Sequence, residues 1–438
     1  MEKGEPFERG GGGRRMILTI TFIISMIIGM PILAVLGWSC IIPMWLGTMP
    51  MTFIPQNLYT GIDNFPLIAI VGFVLAGTLM EPAGISEDII NVAKKLLGHL
   101  TGGLACVTIL ACMIFAALSG SGPATTAAIG SIMIPGMVRA GYPKNFAAGV
   151  SASGGVLGIL IPPSNPMIIF GVIANCSVAG LFMAGFIPGF ILTGLLIITA
   201  LIISLIRGYQ GTGEPFSLKE VFLTVWRGKW SLLTPVIILG GIYGGIFTPT
   251  EAAIVAVFYS LLVGFLISKK LTFKTLFNAL IRTSLIAGTV NVLIGISVTF
   301  SRLLTVEQIP QIVGNYLSSI STDPFVILLL ISSVLFFVGF FADTIAIIIV
   351  LAPIFLPITS KLGIDPIQLG IIFVVCCEAG FLTPPFGANL FVAMKLIDVT
   401  LEGVAKAVIP FVFAIIIAII LVCYFPQLSM WLPSVLLK

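Results

Sequence analysis

Charge is what this chain has least of. Asp, Glu, Lys and Arg make up 9% of its 438 residues, and mean hydropathy is +1.19; soluble domains carry about 25% charged residues. There is one histidine, His99, so an HExxH metalloprotease site is excluded. No GxxxxGK[ST] loop occurs, so this chain carries no ATP-driven P-loop engine. None of the seven cysteines forms a CxxC pair, which argues against a zinc site or a disulfide framework and for small helix-packing residues. No ladder of arginines suggests voltage sensing. With a lone histidine and no paired acids at helical spacing, an intramembrane enzyme is disfavoured. The net charge of +4 reads as loop topology in so apolar a chain, not as nucleic-acid binding.

What the chain has instead is long apolar runs. Ile191 to Ile206 and Ile409 to Cys423 carry no charge, unlike the short alternating strands of a β-barrel. A helical span needs about 20 apolar residues, and such runs alternate with polar connectors along nearly the whole length. The reading is an all-α polytopic membrane protein with roughly ten to twelve spans and several half-spans. Residues 1–15, with four consecutive glycines, read as a flexible tail or a linker remnant outside the fold. A first span is expected over Met16 to Trp38. Residues 16–207 form a first half, 208–229 a polar and net basic connector placed on the cytoplasmic side, and 230–438 a second half. Lys269, Lys270, Lys274 and Arg282 read as another basic connector.

Two segments resemble each other: Ile159-Leu160-Ile161-Pro162-Pro163-Ser164-Asn165-Pro166 and Phe381-Leu382-Thr383-Pro384-Pro385-Phe386-Gly387-Ala388-Asn389. Pro135 and Pro357, Gly141 and Gly363, Gly158 and Gly380, and Pro188 and Pro410 are each separated by the same 222 residues, as are the two Pro-Pro steps. Proline removes a backbone donor and clashes with the preceding turn. Two in a row deep in a membrane free carbonyls that survive only against protein or a cavity. Freed carbonyls suit a hard cation, and half-helix N-termini suit an anion. Broken helices at corresponding positions of two halves point to a secondary transporter's binding site.

Other candidates cluster around these breaks. Ser119-Gly120-Ser121-Gly122-Pro123-Ala124-Thr125-Thr126 reads as the tip of a re-entrant hairpin whose hydroxyls add oxygen ligands, with Phe341-Ala342-Asp343-Thr344 as its counterpart. Asp343 lies between apolar runs, where an ionisable residue is costly and defaults to a functional role. Arg302 ends an apolar run; it could pair with Asp343 or a substrate carboxylate, or snorkel at the interface. Glu378 and Glu81 are acids beside apolar blocks, readable as interfacial or packing residues.

Together, Gly98-His99-Leu100-Thr101-Gly102-Gly103, Ser119-Gly120-Ser121, Ile134-Pro135-Gly136-Met137, the two Pro-Pro segments and Gly245-Ile246-Phe247-Thr248-Pro249-Thr250-Glu251-Ala252 resemble the large membrane subunit of tripartite ATP-independent periplasmic (TRAP) transporters. The similarity runs from about residue 16 to the end. The resemblance implies an elevator-type fold of scaffold and transport domains, with two structural repeats, each holding a hairpin and a broken helix. It implies a sodium-driven importer of an organic anion, such as sialic acid or a C4-dicarboxylate, in the bacterial inner membrane. It further implies two partners: a small four-helix membrane subunit and a periplasmic substrate-binding protein. One Na+ would sit near Ser119, Ser121, Gly158, Ile161 and Pro163, and another near Phe341, Thr344, Gly380, Thr383 and Pro385. The substrate would lie near Ser164, Asn165, Asp343 and Asn389, with Arg302 as a further candidate. A stand-alone sodium/dicarboxylate symporter of similar architecture is the alternative.

Overall fold

Side-chain oxygens and prolines set where the helices begin. Asp323, Asp343 and Asp365 each accept a hydrogen bond from the backbone two residues on, and Asp323 and Asp365 are followed directly by proline, the preferred opening of a helix. Thr248 and Glu251 form a reciprocal capping box, which satisfies two backbone donors that would otherwise be unpaired near lipid.

The computed structural model describes residues 11–46, 50–211, 213, 215–385 and 387–437. Helix accounts for 81% of it, with no strand among the described residues. The first elements are α1 (Gly11–Ile27), α2 (Ile32–Trp45), α3 (Phe53–Ile62), α4 (Leu67–Met80) and α5 (Ile85–Leu97). Next come α6 (Gly103–Ser119), α7 (Gly122–Arg139), α8 (Lys144–Gly155), α9 (Leu157–Leu160), α10 (Asn165–Ala174) and α11 (Val178–Arg207). The middle of the chain holds α12 (Leu218–Arg227), α13 (Lys229–Tyr243), α14 (Pro249–Leu262), α15 (Phe273–Val306) and α16 (Ile309–Ile320). It closes with α17 (Pro324–Val338), α18 (Thr344–Lys361), α19 (Pro366–Gly380), α20 (Ala388–Leu396), α21 (Leu401–Tyr424) and α22 (Gln427–Leu436).

Among the described residues six helical stretches, one of them the interrupted α8–α10, are long and apolar enough to cross a membrane, or seven if the bent pair α3–α4 is one span. Six further apolar helices are 10–17 residues long, shorter than the about 20 residues of a full span. The run Met16 to Trp38 is not one span, because Gly29 (φ +79°) and Pro31 divide it into α1 and α2. Helix α1 begins at Gly11, so residues 11–15 are helical and not part of a tail; residues 1–10 lie outside the described residues. The 208–229 connector contains α12, and the basic stretch from Lys269 runs directly into α15, which carries Lys274 and Arg282.

Burial separates the centre from the rim. In the most apolar 18-residue window within residues 144–174, 89% of positions are buried inside the protein, against 33% in the corresponding window within Val178–Arg207. The stretch carrying α8 to α10 is thus enclosed by protein, and the apolar outer surface of α11 faces the bilayer. Helices α3, α4, α14 and α15 pack against one another, while α6 to α11 pack with α19 to α21. Small residues permit close approach: a Cβ on Gly72 would lie 2.7 Å from Ala253 Cβ, and one on Gly149 3.1 Å from Ala407 Cβ. Such contacts replace the hydrophobic driving force that is missing between helices in lipid. Helices α7 and α18 start and end 222 residues apart, and α8 and α19 start at the same interval.

Candidate functional site

The first Pro-Pro step breaks the helix fully. Helix α9 stops at Leu160, Ile161 is extended (φ −78°, ψ 124°), and the Pro162–Pro163 peptide is cis. The chain restarts at Ser164, whose hydroxyl accepts from Met167 N at 3.4 Å. Residues 161–165 are all buried. The hairpin of α6 and α7 turns at Gly120, in the left-handed region at φ +59°, and its tip sits on this break. A Cβ on Gly120 would lie 2.9 Å from the Pro163 carbonyl oxygen, and one on Gly158 2.5 Å from the Ser121 carbonyl oxygen. Ser119 Oγ and Thr125 Oγ1 are 2.7 Å apart. The fold therefore brings Ser119, Ser121, Gly158 and Pro163 into one neighbourhood, with Ile161 in the chain between the last two. Thr125, a hydroxyl inside α7 and a member of the same hydroxyl cluster in the sequence, joins them.

The second break is more open. Thr383 Oγ1 donates to Ala379 O at 3.0 Å, the Pro384–Pro385 peptide is cis, and Gly387 (φ +34°) precedes α20. Phe386 lies outside the described residues. Pro385 is exposed, whereas the matching Pro163 is buried. Gly380 lies against Gly339: a Cβ on Gly380 would collide with Gly339's backbone C and O. This contact holds the turn from Gly339 to Thr344 beside the break. Thr344 is buried, with no hydrogen-bond partner for its hydroxyl among the described residues, and the Phe341 ring is exposed. Asp343 Oδ2 accepts from Ile345 N at 3.1 Å and caps α18. Beyond the breaks, α10 packs on α18 and α20 on α7, so each half-helix leaving one break meets the hairpin of the other half.

Between these parts lies a cavity of about 350 Å³. Its wall includes Thr78 from α4 and Glu81 just past its end, the tip from Ser119 to Ala124, Asn165 and Pro166 from α10, Asp343 and Thr344, and Arg282 from α15. Of the expected substrate residues, Asn165 and Asp343 line it. Ser164 is fully buried and caps α10. Asn389 is fully buried and donates from Nδ2 to Ala152 O at 3.3 Å. Arg302 is elsewhere: its guanidinium donates to Asn57 Oδ1 on α3 and does not line the cavity. The cationic group at the wall is Arg282, whose Nη1 lies 4.0 Å from Glu81 Oε2. A larger hollow of about 740 Å³, lined by Lys94, Lys95, Arg139 and Arg227 with Asp88 and Glu220, touches neither break.

Hydroxyl and carbonyl oxygens at a broken backbone can replace an ion's hydration shell, while an arginine at a cavity wall can grip a carboxylate. A helical membrane protein with two broken helices, and with two turn tips around a mostly apolar cavity that carries a few convergent polar groups, has the architecture of a transport protein, and solved structures agree on the fold. The YdaH transporter of Alcanivorax borkumensis matches with a TM-score of 0.63 at 16% identity, covering 95% of this chain and 98% of that one. MtrF of Neisseria gonorrhoeae matches at 0.59 and 13%, covering 96% of each chain.

The family model of the tripartite ATP-independent periplasmic transporter, DctM component, matches residues 17–428, and the chain belongs to that family. It is 41% identical over 378 residues to the C4-dicarboxylate TRAP transporter large permease protein of Pseudomonas aeruginosa, covering 86% of this chain and 88% of that one. It is 40% identical over 412 residues to the isethionate TRAP transporter permease of Oleidesulfovibrio alaskensis, covering 94% of this chain but 65% of that protein's length. The sialic acid TRAP transporter permease of Haemophilus influenzae is 37% identical over 434 residues, covering 98% and 69%. The protein is thus a multi-pass transporter permease of the bacterial inner membrane, not an enzyme.

Proposed function

We propose that the chain imports an organic anion, a carboxylate such as sialic acid or a C4-dicarboxylate, together with sodium ions. The anion would be handed over by a periplasmic binding protein, and a small four-helix membrane subunit would complete the permease. The observation that carries this reading is the 350 Å³ cavity, which two tips and the first break enclose and which Arg282 and Asp343 line. A guanidinium beside hydroxyls and a half-helix N-terminus fits a carboxylate-bearing solute. Ser119, Ser121, Gly158, Ile161 and Pro163 form one sodium set, with Thr125 added. Phe341, Thr344, Gly380, Thr383 and Pro385 form the other. Residues 16–207 and 230–438 are two repeats, an assignment supported by the common interval of α7 with α18 and of α8 with α19. Transport then proceeds as an elevator: the group around both breaks slides against the group of α3, α4, α14 and α15. Each charge that crosses gains about 2.3 kcal/mol per 100 mV.

The test is reconstitution in liposomes with candidate binding proteins, reading labelled anion uptake with an inward sodium gradient and with choline in its place. Uptake that needs both sodium and a binding protein supports the proposal. Uptake indifferent to sodium removes the coupling, and uptake without any binding protein favours the stand-alone symporter.

A further inference from the structure

Glu378 sits at the last turn of α19 with no solvent exposure, and neither of its carboxylate oxygens has a hydrogen-bond partner among the described residues. An isolated buried carboxylate is costly, and such groups are paired or coordinate a cation. Among the described residues no basic side chain is hydrogen-bonded or ion-paired to it.

What surrounds it is oxygen. A Cβ on Gly122 would lie 3.2 Å from Glu378 Oε2, 3.2 Å from Asn389 Oδ1 and 3.2 Å from the Gly155 carbonyl oxygen. Three oxygens from α8, α19 and α20 thus converge on the first residue of α7. A Cβ on Gly155 would in turn be 3.0 Å from the Gly122 carbonyl oxygen and would collide with Thr126 Oγ1. Asn389 Oδ1 and Thr126 Oγ1 are unpartnered on fully buried residues. Asn389 is oriented by its amide nitrogen, which donates to Ala152 O at 3.3 Å, so its oxygen faces Gly122, as Glu378 Oε2 does. One proton on Glu378 would satisfy one of these acceptors; a cation satisfies several at once.

We propose that Glu378, Asn389, Thr126 and the Gly155 carbonyl form a binding site for a sodium-sized monovalent cation. It is distinct in its residues from the two sets at the breaks. Its ligands come from α7, α8, α19 and α20, so an ion here ties the first hairpin and first broken helix to the second broken helix. This deepens the sodium-coupled reading above and rests on it.

The experiment is equilibrium binding of ²²Na+ to the purified full chain in detergent, with Glu378→Gln and Thr126→Val. Glu378→Gln keeps the shape and removes the charge; Thr126→Val keeps the volume and removes one oxygen. The expected result is one sodium fewer per chain for Glu378→Gln, and roughly tenfold weaker binding of one equivalent for Thr126→Val. If wild type binds sodium and both variants bind it with the same stoichiometry and affinity, the Glu378 site is overturned and sodium coupling stands. If wild type binds none, both fall. Should Glu378→Gln fail to purify as a monodisperse protein, Thr126→Val decides alone: weakened binding supports the site, and unchanged binding overturns it.

Discussion

Gly158→Ala tests whether the contact between the first hairpin and the first break is part of the sodium site. The added methyl would start 2.5 Å from the Ser121 carbonyl oxygen and 2.7 Å from Thr125 Oγ1. Carbon and oxygen approach to about 3.3 Å in close contacts, so the tip must retreat by about 0.8 Å. The obstacle includes backbone, which cannot swing aside as a long side chain can. Overpacking of this kind costs about 1–3 kcal/mol. If the Ser121 carbonyl and the Ser119–Thr125 hydroxyl pair hold a cation, the cost appears in sodium affinity. At tenfold per 1.4 kcal/mol that is roughly a 5- to 150-fold rise in the sodium concentration for half-maximal uptake. The assay is sodium-dependent uptake in proteoliposomes, read beside the thermal unfolding midpoint. Gly136→Ala is the control, because a Cβ there meets nothing within 4 Å. A Gly158→Ala protein that unfolds earlier but keeps wild-type sodium dependence would refute the reasoning, since the strain would then be purely structural.

Arg282→Gln removes the cationic group at the cavity wall and should raise the anion concentration for half-maximal uptake roughly 10- to 100-fold, the worth of a charge-assisted hydrogen bond. Arg302→Ala should lower thermal stability through its lost bond to Asn57 and leave that concentration unchanged in the same assay. Asp343→Ala should cost about 1 kcal/mol as a lost helix cap, whereas Asp343→Asn should keep the cap and its stability; thermal unfolding separates the two. Ser164→Ala likewise should cost about 1 kcal/mol at the start of α10, with anion affinity unaltered in a binding titration.

The breaks were legible because proline acts locally. Pro162, Pro163, Pro384 and Pro385 stop a helix whatever surrounds them, and Gly120 between two serines marks a turn in any context. Asp343 was legible because an acid between apolar runs has few bland explanations. Arg282 was not. Four basic residues over positions 269–282 look like a cytoplasmic loop, and only the packing of α15 against α3 and α4 shows one of them reaching the cavity. Arg302 erred in the opposite direction, because its partner Asn57 is 245 residues away in sequence. Glu378 was visible as an acid near an apolar block, but its lack of partners is a property of four helices meeting. The division of Met16 to Trp38 was missed because hydropathy does not report the positive φ of Gly29.

The charges around the cavity bear on why sodium should travel with the substrate. Arg282 faces Glu81 at 4.0 Å and shares the wall with Asp343, and Glu378 lies buried nearby with no basic partner. Arg282, the cation at the wall, is thus already beside an acid before any substrate arrives. An entering carboxylate adds negative charge in a medium where uncompensated charge is costly. A fixed lysine or arginine could offset it, but would then hold the anion equally in every state. Mobile cations offset it only while they are bound, so anion affinity rises and falls with their occupancy. By linkage, an anion that binds better with sodium present must make sodium bind better by the same factor. Because the coupling is one quantity, removing the Glu378 charge or Arg282 should weaken it whichever ligand is titrated. The two substitutions together should cost less than the sum of their separate effects, an interaction a double-mutant cycle on sodium-dependent anion binding would read directly.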